Sequence, residues 1–447
     1  MIPTMEENCQ KVDLIVVGGG LAGLTAAALV AREGRSVVLV ERSSRLGGRA
    51  MTQESQGVHF NLGPHALYCA GHAFRLLTAL QVPFAGRIPA AGRALLLGRT
   101  ATYTLPHGLV SLLTSRLLTL REKWRLSRIL SELPHLDARL FDDMPLGVWI
   151  ENNAGTGHLA DQLGTLFRLS TFANAPEQTS AGAALDQLKL ALAGNVWYLD
   201  GGWQTLVDGL RERAIASGAD VRTSERAESV RDDADGVIVR LAGGAILHGR
   251  ALVLAIPPKS ACELLDEPPL ARWHDSSVPV RAACLDVALD RLPRPERRFA
   301  LGLEDPTYYS VHSATARLAP DGVAVLHVMK YLGCAVEEPA GVVERELEAV
   351  LDRLQPGWGD RVIERRFLPG MTVAHALPSV ADRGLAGRPG VAIPGRPCVF
   401  LAGDWVGDRG MLADASAASA EEAARSVLDG LEHVSSSGDR SVAHAGA

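Results

Sequence analysis

Five of the six residues in "VDLIVV" (12–17) are apolar and mostly β-branched, which predicts a buried parallel strand. "LAGLTAAALVARE" (21–33) then changes to strong helix formers and stops at Gly34. "SVVLVE" (36–41) is a second buried strand. Residues 72–195 are helical in pattern, with apolar positions three to four apart in "GLVSLLTSRLLTLREKWRLSRILSEL". Further on, Gly201 and Gly202 precede a helix with Leu206, Leu210 and Ala214 on one face. Short β-runs follow around Val221, Val230, Val237–Leu241 and Leu252–Ile256. Residues 278–330 hold β-like runs such as "RAACLDVAL" and "GVAVLHVMKYL", followed by a charged helix, "VVERELEAVLDRL", and a strand, "RVIERRFL". A last strand from Cys398 leads through Gly403-Asp404 into a long alanine-rich helix, and residues 433–447 are small and polar, the pattern of a disordered tail.

Composition narrows the class. A chain of 447 residues exceeds one ordinary core and suggests two or three domains. A net charge of −6, with arginines scattered among acidic residues and only five lysines, gives no reason to expect nucleic acid. The six cysteines form no C-x-x-C and no zinc-like spacing, so no metal site is expected, and isolated thiols fit a reducing cytoplasm. Met1–Gln10 is polar rather than a secretory signal, and no window approaches 18 apolar residues, so no membrane span is expected.

Candidate chemistry begins where the first strand ends. Gly18, Gly20 and Gly23 fit G-x-G-x-x-G between a strand and a helix, the context of a dinucleotide pyrophosphate site. Gly18 permits the tight turn, Gly20 lets phosphates approach the backbone, and Gly23 lets helix and strand pack closely. The free N–H groups of the helix N-terminus, at Leu21 and Ala22, suit the anion. Glu41, at the end of the second strand, is placed to accept both ribose hydroxyls and would repel a 2′-phosphate. These residues alone leave NAD and FAD open.

The next loop carries the choice. "RSSRLGGRAMT" (42–52) sets Gly47 and Gly48 between Arg45 and Arg49, a second anion-friendly loop. The run G-G-G-x-A-G-L … E-R-x-x-R-x-G-G-R-A, with Arg42 opening its second half, resembles the FAD-binding N-terminus of amine oxidases, protoporphyrinogen oxidases and phytoene desaturases. The matching pieces are residues 13–66, 198–258 and 396–431, about a third of the chain.

The resemblance implies an α/β fold: a Rossmann-like FAD-binding domain (GR2-type) interrupted by an α+β substrate domain. The expected division is 1–70, 196–265 and 390–432 for FAD, 71–195 and 266–389 for substrate, and 433–447 as the tail. It implies that backbone near Val230 touches adenine and that Asp404, after Gly403, accepts from a ribityl hydroxyl. The N–H groups near Met411 and Leu412 would face flavin N1 and O2. Gly63 and Pro64 fix a turn beside the isoalloxazine, making His65 the candidate proton carrier, with backbone hydrogen bonding as its plain alternative. His107, His312, His327, Lys330, Tyr331 and His375 are weaker candidates. Leu109, Leu112, Leu113, Leu117 and Leu118 are read as core first, and as tunnel or lipid contact second.

Two departures bear on activity. Amine oxidases usually carry a lysine in a substrate-domain strand, where this chain has Arg281 in "VPVRAACLDVAL", and no cysteine lies near Met411 for covalent attachment. The expectation is noncovalent FAD and hydride removal from an apolar small molecule by a desaturase or oxidase, with oxygen or a quinone as acceptor and peripheral membrane contact allowed. An amine oxidase, a redox-neutral isomerase and a flavin-free binding protein similar to GTPase dissociation inhibitors are the alternatives. "AGTGHLADQLG" (154–164) has no preceding strand and reads as an inter-helix turn, not a second nucleotide site. The purified protein should therefore show an oxidised flavin spectrum that persists anaerobically when NADPH is added, and prompt bleaching would reveal a pyridine-nucleotide site.

Overall fold

The computed structural model describes residues 11–90, 94–105, 116–334 and 338–442. Its first sheet has a parallel core in the order Asp220–Arg222, Val37–Val40, Lys11–Val17 and Ile246–Leu254. Arg396–Leu401 adds in parallel beside the end of Ile246–Leu254, while Gly236–Leu241 and Ala227–Asp233 continue the sheet antiparallel. Every residue of Val37–Val40 is buried, as a strand covered on both faces requires. The helix Leu21–Arg32 packs between Gln204–Ala216 and Leu412–Val442.

Two glycines make this packing possible. Gly18 has φ +109°, and a Cβ there would lie 2.4 Å from the Ala255 carbonyl oxygen. A Cβ on Gly23 would lie 1.9 Å from the Gly18 oxygen, so the helix approaches its strand only because Gly23 has no side chain.

The second sheet runs Val362–Ala374, Val280–Leu289, Ala324–Tyr331, Thr307–Val311, Phe299–Gly302, Ala94–Leu97 and Thr102–Thr104. Along Val280–Leu289, Ala282 and Cys284 face a helical layer built from residues 117–188. Ala283, Leu285, Val287 and Leu289 face the opposite helix, Ala340–Leu354. This period-two division explains why "RAACLDVAL" is apolar on both faces except at Arg281 and Asp286: both faces are covered.

The helical reading of 72–195 needs correction at Gly86–Arg87, Ala94–Leu97 and Thr102–Thr104, which are strands. Sheet pairing, in particular that of Ala94–Leu97 with Phe299–Gly302, overrides their local pattern. The strand expected to end at Leu368 runs on to Ala374, crossing Pro369-Gly370 where the register against Val280–Leu289 shifts. The last helix runs to Val442, into the segment expected as a disordered tail, because extending a formed helix is easier than starting one. Gly155 and Gly157 turn between Leu146–Ala154 and His158–Thr171, as "AGTGHLADQLG" suggested. Leu117 and Leu118 are buried in core, whereas His107, Leu109, Leu112 and Leu113 lie outside the described residues. No helix among the described residues is long and apolar enough to cross a membrane.

A buried polar cluster ties the second sheet to the hairpin Thr52–Asn61. Asp286, fully buried, accepts from His327 Nδ1 at 2.5 Å, from Cys284 Sγ at 3.0 Å and from Arg366 Nη2 at 2.5 Å. Arg366 also donates to the Asn61 carbonyl and, at 2.6 Å, to Gln53 Oε1. Burial alone would raise the Asp286 pKa, but His327 and Arg366 outweigh it and hold the carboxyl below its usual range. Its stabilising contribution is thus present above the ordinary carboxylate pKa and is lost as pH falls through the lower folded value. Asp286→Ala leaves the part-buried Arg366 guanidinium with neutral acceptors only and should destabilise the protein by about 3–5 kcal/mol in denaturant titration. A change below about 1 kcal/mol would remove this cluster from the account.

Candidate active site

The parallel strands end at one cavity of about 910 Å³, walled by Val17, Val40, Ala255 and Ala402 at their carboxyl ends. At one end lies Glu41, whose Oε2 accepts from Gly19 N at 2.7 Å and whose Oε1 accepts from Ser43 N at 2.8 Å. These bonds fix the carboxylate on the wall and leave it capacity for further donors. Arg42, Glu225, Arg226, Ala227 and Glu228 complete this end.

The middle is a backbone cradle. Gly47 N donates to Gly19 O at 2.8 Å, stitching the two glycine loops together. Gly20 and Gly48 face each other across the gap, and a Cβ on either would meet no protein atom nearer than 3.9 Å and 4.0 Å respectively. These glycines are not demanded by packing, unlike Gly18 and Gly23. They keep open a slot lined by backbone at the N-terminus of Leu21–Arg32, beside Leu21 and Ala22, which fits a dinucleotide pyrophosphate.

Beyond the cradle, three distant segments meet on one carboxylate. Arg49 donates from Nη1 to Asp404 Oδ2 and from Nη2 to Asp404 Oδ1, both at 2.7 Å, and from Nη1 to the Val373 carbonyl at 2.7 Å. His375 donates its backbone N–H to Oδ2 and its Nδ1–H to Oδ1, both at 2.9 Å. Burial would raise the Asp404 pKa, but Arg49 and His375 prevail and hold it far below the usual carboxylate range. An ionised carboxylate only accepts, so His375 Nδ1 is the donor in this bond and Nε2 is the ring nitrogen left for another partner. His375 belongs to the cavity wall, and its side chain is 19% exposed.

Several expected site residues need revision. Both oxygens of Asp404 take two donors each, from Arg49 and His375, partners that the sequence reading of Asp404 did not include. Both ring nitrogens of His65 lie 3.1 Å from carbonyl oxygens, Gly63 O and Arg49 O, and burial lowers its pKa. The ring therefore braces the turn, with Pro64 on the wall beside it, and the plain alternative describes it better than proton transfer does. Val230 is packed in the core and borders a separate surface hollow, while Ala227 and Glu228 of the same strand reach the cavity. Met411 is buried away from the wall, which Leu412 and Gly403 do reach, and Gly23 acts through packing alone. Arg45 donates to the Thr52 carbonyl at 2.8 Å and stands off the cavity.

Of the weaker candidates among the described residues, His375 alone lies on the cavity wall. His312 and His327 belong to the polar cluster behind it, Lys330 is ion-paired with Glu338 and Glu346, and Tyr331 is core. Sequence reasoning missed Tyr68, Phe172, Trp203, Met371 and Asp414 on the wall. "FLPGMTVAH" carried a signal for one of them, since strand alternation resumed after Pro369-Gly370 would have brought Met371 and Val373 to one face.

With this geometry in place, the comparisons with known proteins agree. Residues 21–428 match the family model of flavin containing amine oxidoreductases. An uncharacterized protein of Mycobacterium tuberculosis is 27% identical over 348 residues, 66% of this chain and 64% of that one. The match thus spans just under two thirds of the length of these curated relatives. A 4,4′-diaponeurosporene oxygenase of Staphylococcus aureus is 46% identical over 54 residues, 12% of this chain and 11% of its own. Cyclohexylamine oxidase from Brevibacterium oxydans shares the fold with TM-score 0.71 at 18% identity, covering 95% of this chain and 100% of that one. The glycine cradle, the closing Arg49–Asp404 pair and a family match over most of the sequence lead to one conclusion: the chain belongs to the flavin containing amine oxidoreductase family, and its cofactor is FAD.

Proposed function

We propose that the protein removes hydride from an apolar small molecule, as a desaturase or oxidase, and passes it to FAD. The observation that carries this reading is the wall of the cavity away from Glu41. Leu62, Leu67, Phe172, Met371, Val373 and Leu412 make it apolar, and no lysine or cysteine stands on it among the described residues. Arg281, in the strand where the resemblance implies the amine-oxidase lysine, is not part of this wall. The lack of a wall cysteine is consistent with noncovalent FAD.

In this reading Gly18, Gly20, Leu21, Ala22, Gly47 and Gly48 receive the pyrophosphate, and Glu41 and Arg42 the adenosine ribose. Gly403 and Leu412 border the flavin. FAD, when bound, supplies the hydride acceptor. The chain supplies the rest. The apolar wall orients the substrate and excludes water, and Arg49 with Asp404 fixes His375. Loss of hydride from one carbon makes its neighbour's proton acidic, and His375 Nε2 is the group that takes that proton. Oxygen or a quinone then reoxidises the cofactor. An apolar substrate suits delivery from a lipid surface. Leu120 and Trp124, 81% and 64% exposed, share one helix face with Arg121, Arg125 and Arg128, a composition that suits peripheral contact.

Amine oxidation is the second reading, favoured by the family model itself. Anaerobic mixing separates the two. Partly reduced polyenes and hydroaromatic tetrapyrroles are expected to bleach the flavin, and primary amines and polyamines are not. With a bleaching compound, His375→Gln should slow the reductive step about 10²–10⁴-fold. Bleaching by amines alone would overturn the proposal in favour of the second reading.

A further inference from the structure

Asp414 is a charged group in the cavity wall that the proposed chemistry does not use. It lies in the first turn of Leu412–Val442, beside Leu412 and Ala413 on the same wall, and is 4% exposed. Its Oδ1 accepts from Ala73 N at 2.8 Å, in the first turn of the helix His72–Ala79. That helix has Gly71 as its N-cap residue, with no side-chain cap of its own. A Cβ on Gly71 would lie 2.4 Å and 2.6 Å from the two Asp414 oxygens, so the glycine makes room for this carboxylate. One acidic side chain thus sits against the positive ends of two helices, in the wall of the FAD cavity.

We propose that Asp414 is a charge-setting residue of the FAD site: its carboxylate, held between the first turns of two helices, tunes the reduction potential of the bound cofactor and links that potential to pH. A fixed negative charge in a wall shielded from water disfavours the arrival of electrons in the same cavity. A proton on the carboxyl removes that penalty and leaves two helix N-termini to favour reduction. The inference rests on FAD binding and is independent of the substrate.

The surroundings put the switch near neutrality. Burial raises the Asp414 pKa to about 6, against the opposing pull of Ala73 N–H, Arg75 and His72 N–H. Arg75 of the capped helix is the facing cation and also donates to the Ala70 carbonyl at 2.5 Å. The His72 ring turns to Glu421, 3.2 Å away, and burial lowers its pKa, so it brings no positive charge at neutral pH. Tyr68, from the adjacent strand, stays neutral because burial raises its pKa. Arg388 donates to Gly410 O at 2.9 Å in the loop before the closing helix. Across the cavity Arg49, Asp404 and His375 are committed to one another.

In a dye-coupled titration with a low-potential reductant, the donor is oxidised and two electrons enter the flavin. Above about pH 6 the Asp414 carboxylate takes up a proton in the same step, one more than a neutral residue would allow. Asp414→Asn retains an oxygen for Ala73 N–H but not the charge. The two proteins should share one potential near pH 5. Above pH 6 the wild-type potential should fall below the variant's, by at least tenfold in the equilibrium at pH 8, which is about 30 mV for two electrons. Equal potentials at pH 5 and pH 8 would overturn the proposal. Should the variant lose FAD, the wild-type infrared difference spectrum at pH 7 decides. A protonated carboxyl band gained on reduction supports the proposal, and its absence overturns it.

Discussion

The Arg49–Asp404 ion pair is the joint on which the site depends. Arg49 follows the second glycine loop, and Asp404 follows the last parallel strand, 355 residues later. The pair is bidentate, and the same carboxylate and guanidinium bind His375 and the Val373 carbonyl of the second sheet. An early loop and the last parallel strand of the first sheet, together with one strand of the second sheet, are thereby held at a single point. Asp404 is 1% exposed, so loss of Arg49 would leave a buried carboxylate supported by a histidine alone, an outcome burial makes costly.

Around this joint, three carboxylates of the cavity wall have defined places. Glu41 is fixed by two backbone N–H groups at one end of the cavity. Asp404 holds a histidine whose free nitrogen can receive a proton. Asp414 lies between two helix ends, where a proton more or less alters the field in the cavity. Between them the wall is backbone at the cradle and apolar side chains where a substrate would lie. Electrons and protons then have separate destinations, as the proposed removal of hydride from one carbon and a proton from its neighbour requires.

The parts legible in the sequence are those whose chemistry is local. Gly18, by its φ of +109° in the turn, and Gly23, by its contact with the Gly18 oxygen, answer to demands within one strand–turn–helix unit, and the spacing reveals them. The strand of Val230 reaches the cavity two and three residues earlier, at Glu228 and Ala227, because a strand with one solvated face offers several similar positions and sheet pairing decides which reaches the cavity. Residues 369–370 hid the continuation of a strand, since Pro-Gly reads as an end unless a register shift absorbs it. Asp414 was illegible as a site residue, and His375 stood only among the weaker candidates, for a different reason. Their roles come from contacts with residues 404 and 73, distant in sequence, which no local pattern encodes.

The most direct test of the central joint is a double-mutant cycle on FAD affinity, using Arg49→Ala, Asp404→Ala and the double variant of the full chain. A carboxylate that binds three segments predicts strong coupling, above about 2 kcal/mol, because either single loss leaves the other group unpaired in the wall. Effects that add to within about 0.5 kcal/mol would mean the two residues act independently, and the joint would not be what closes the site.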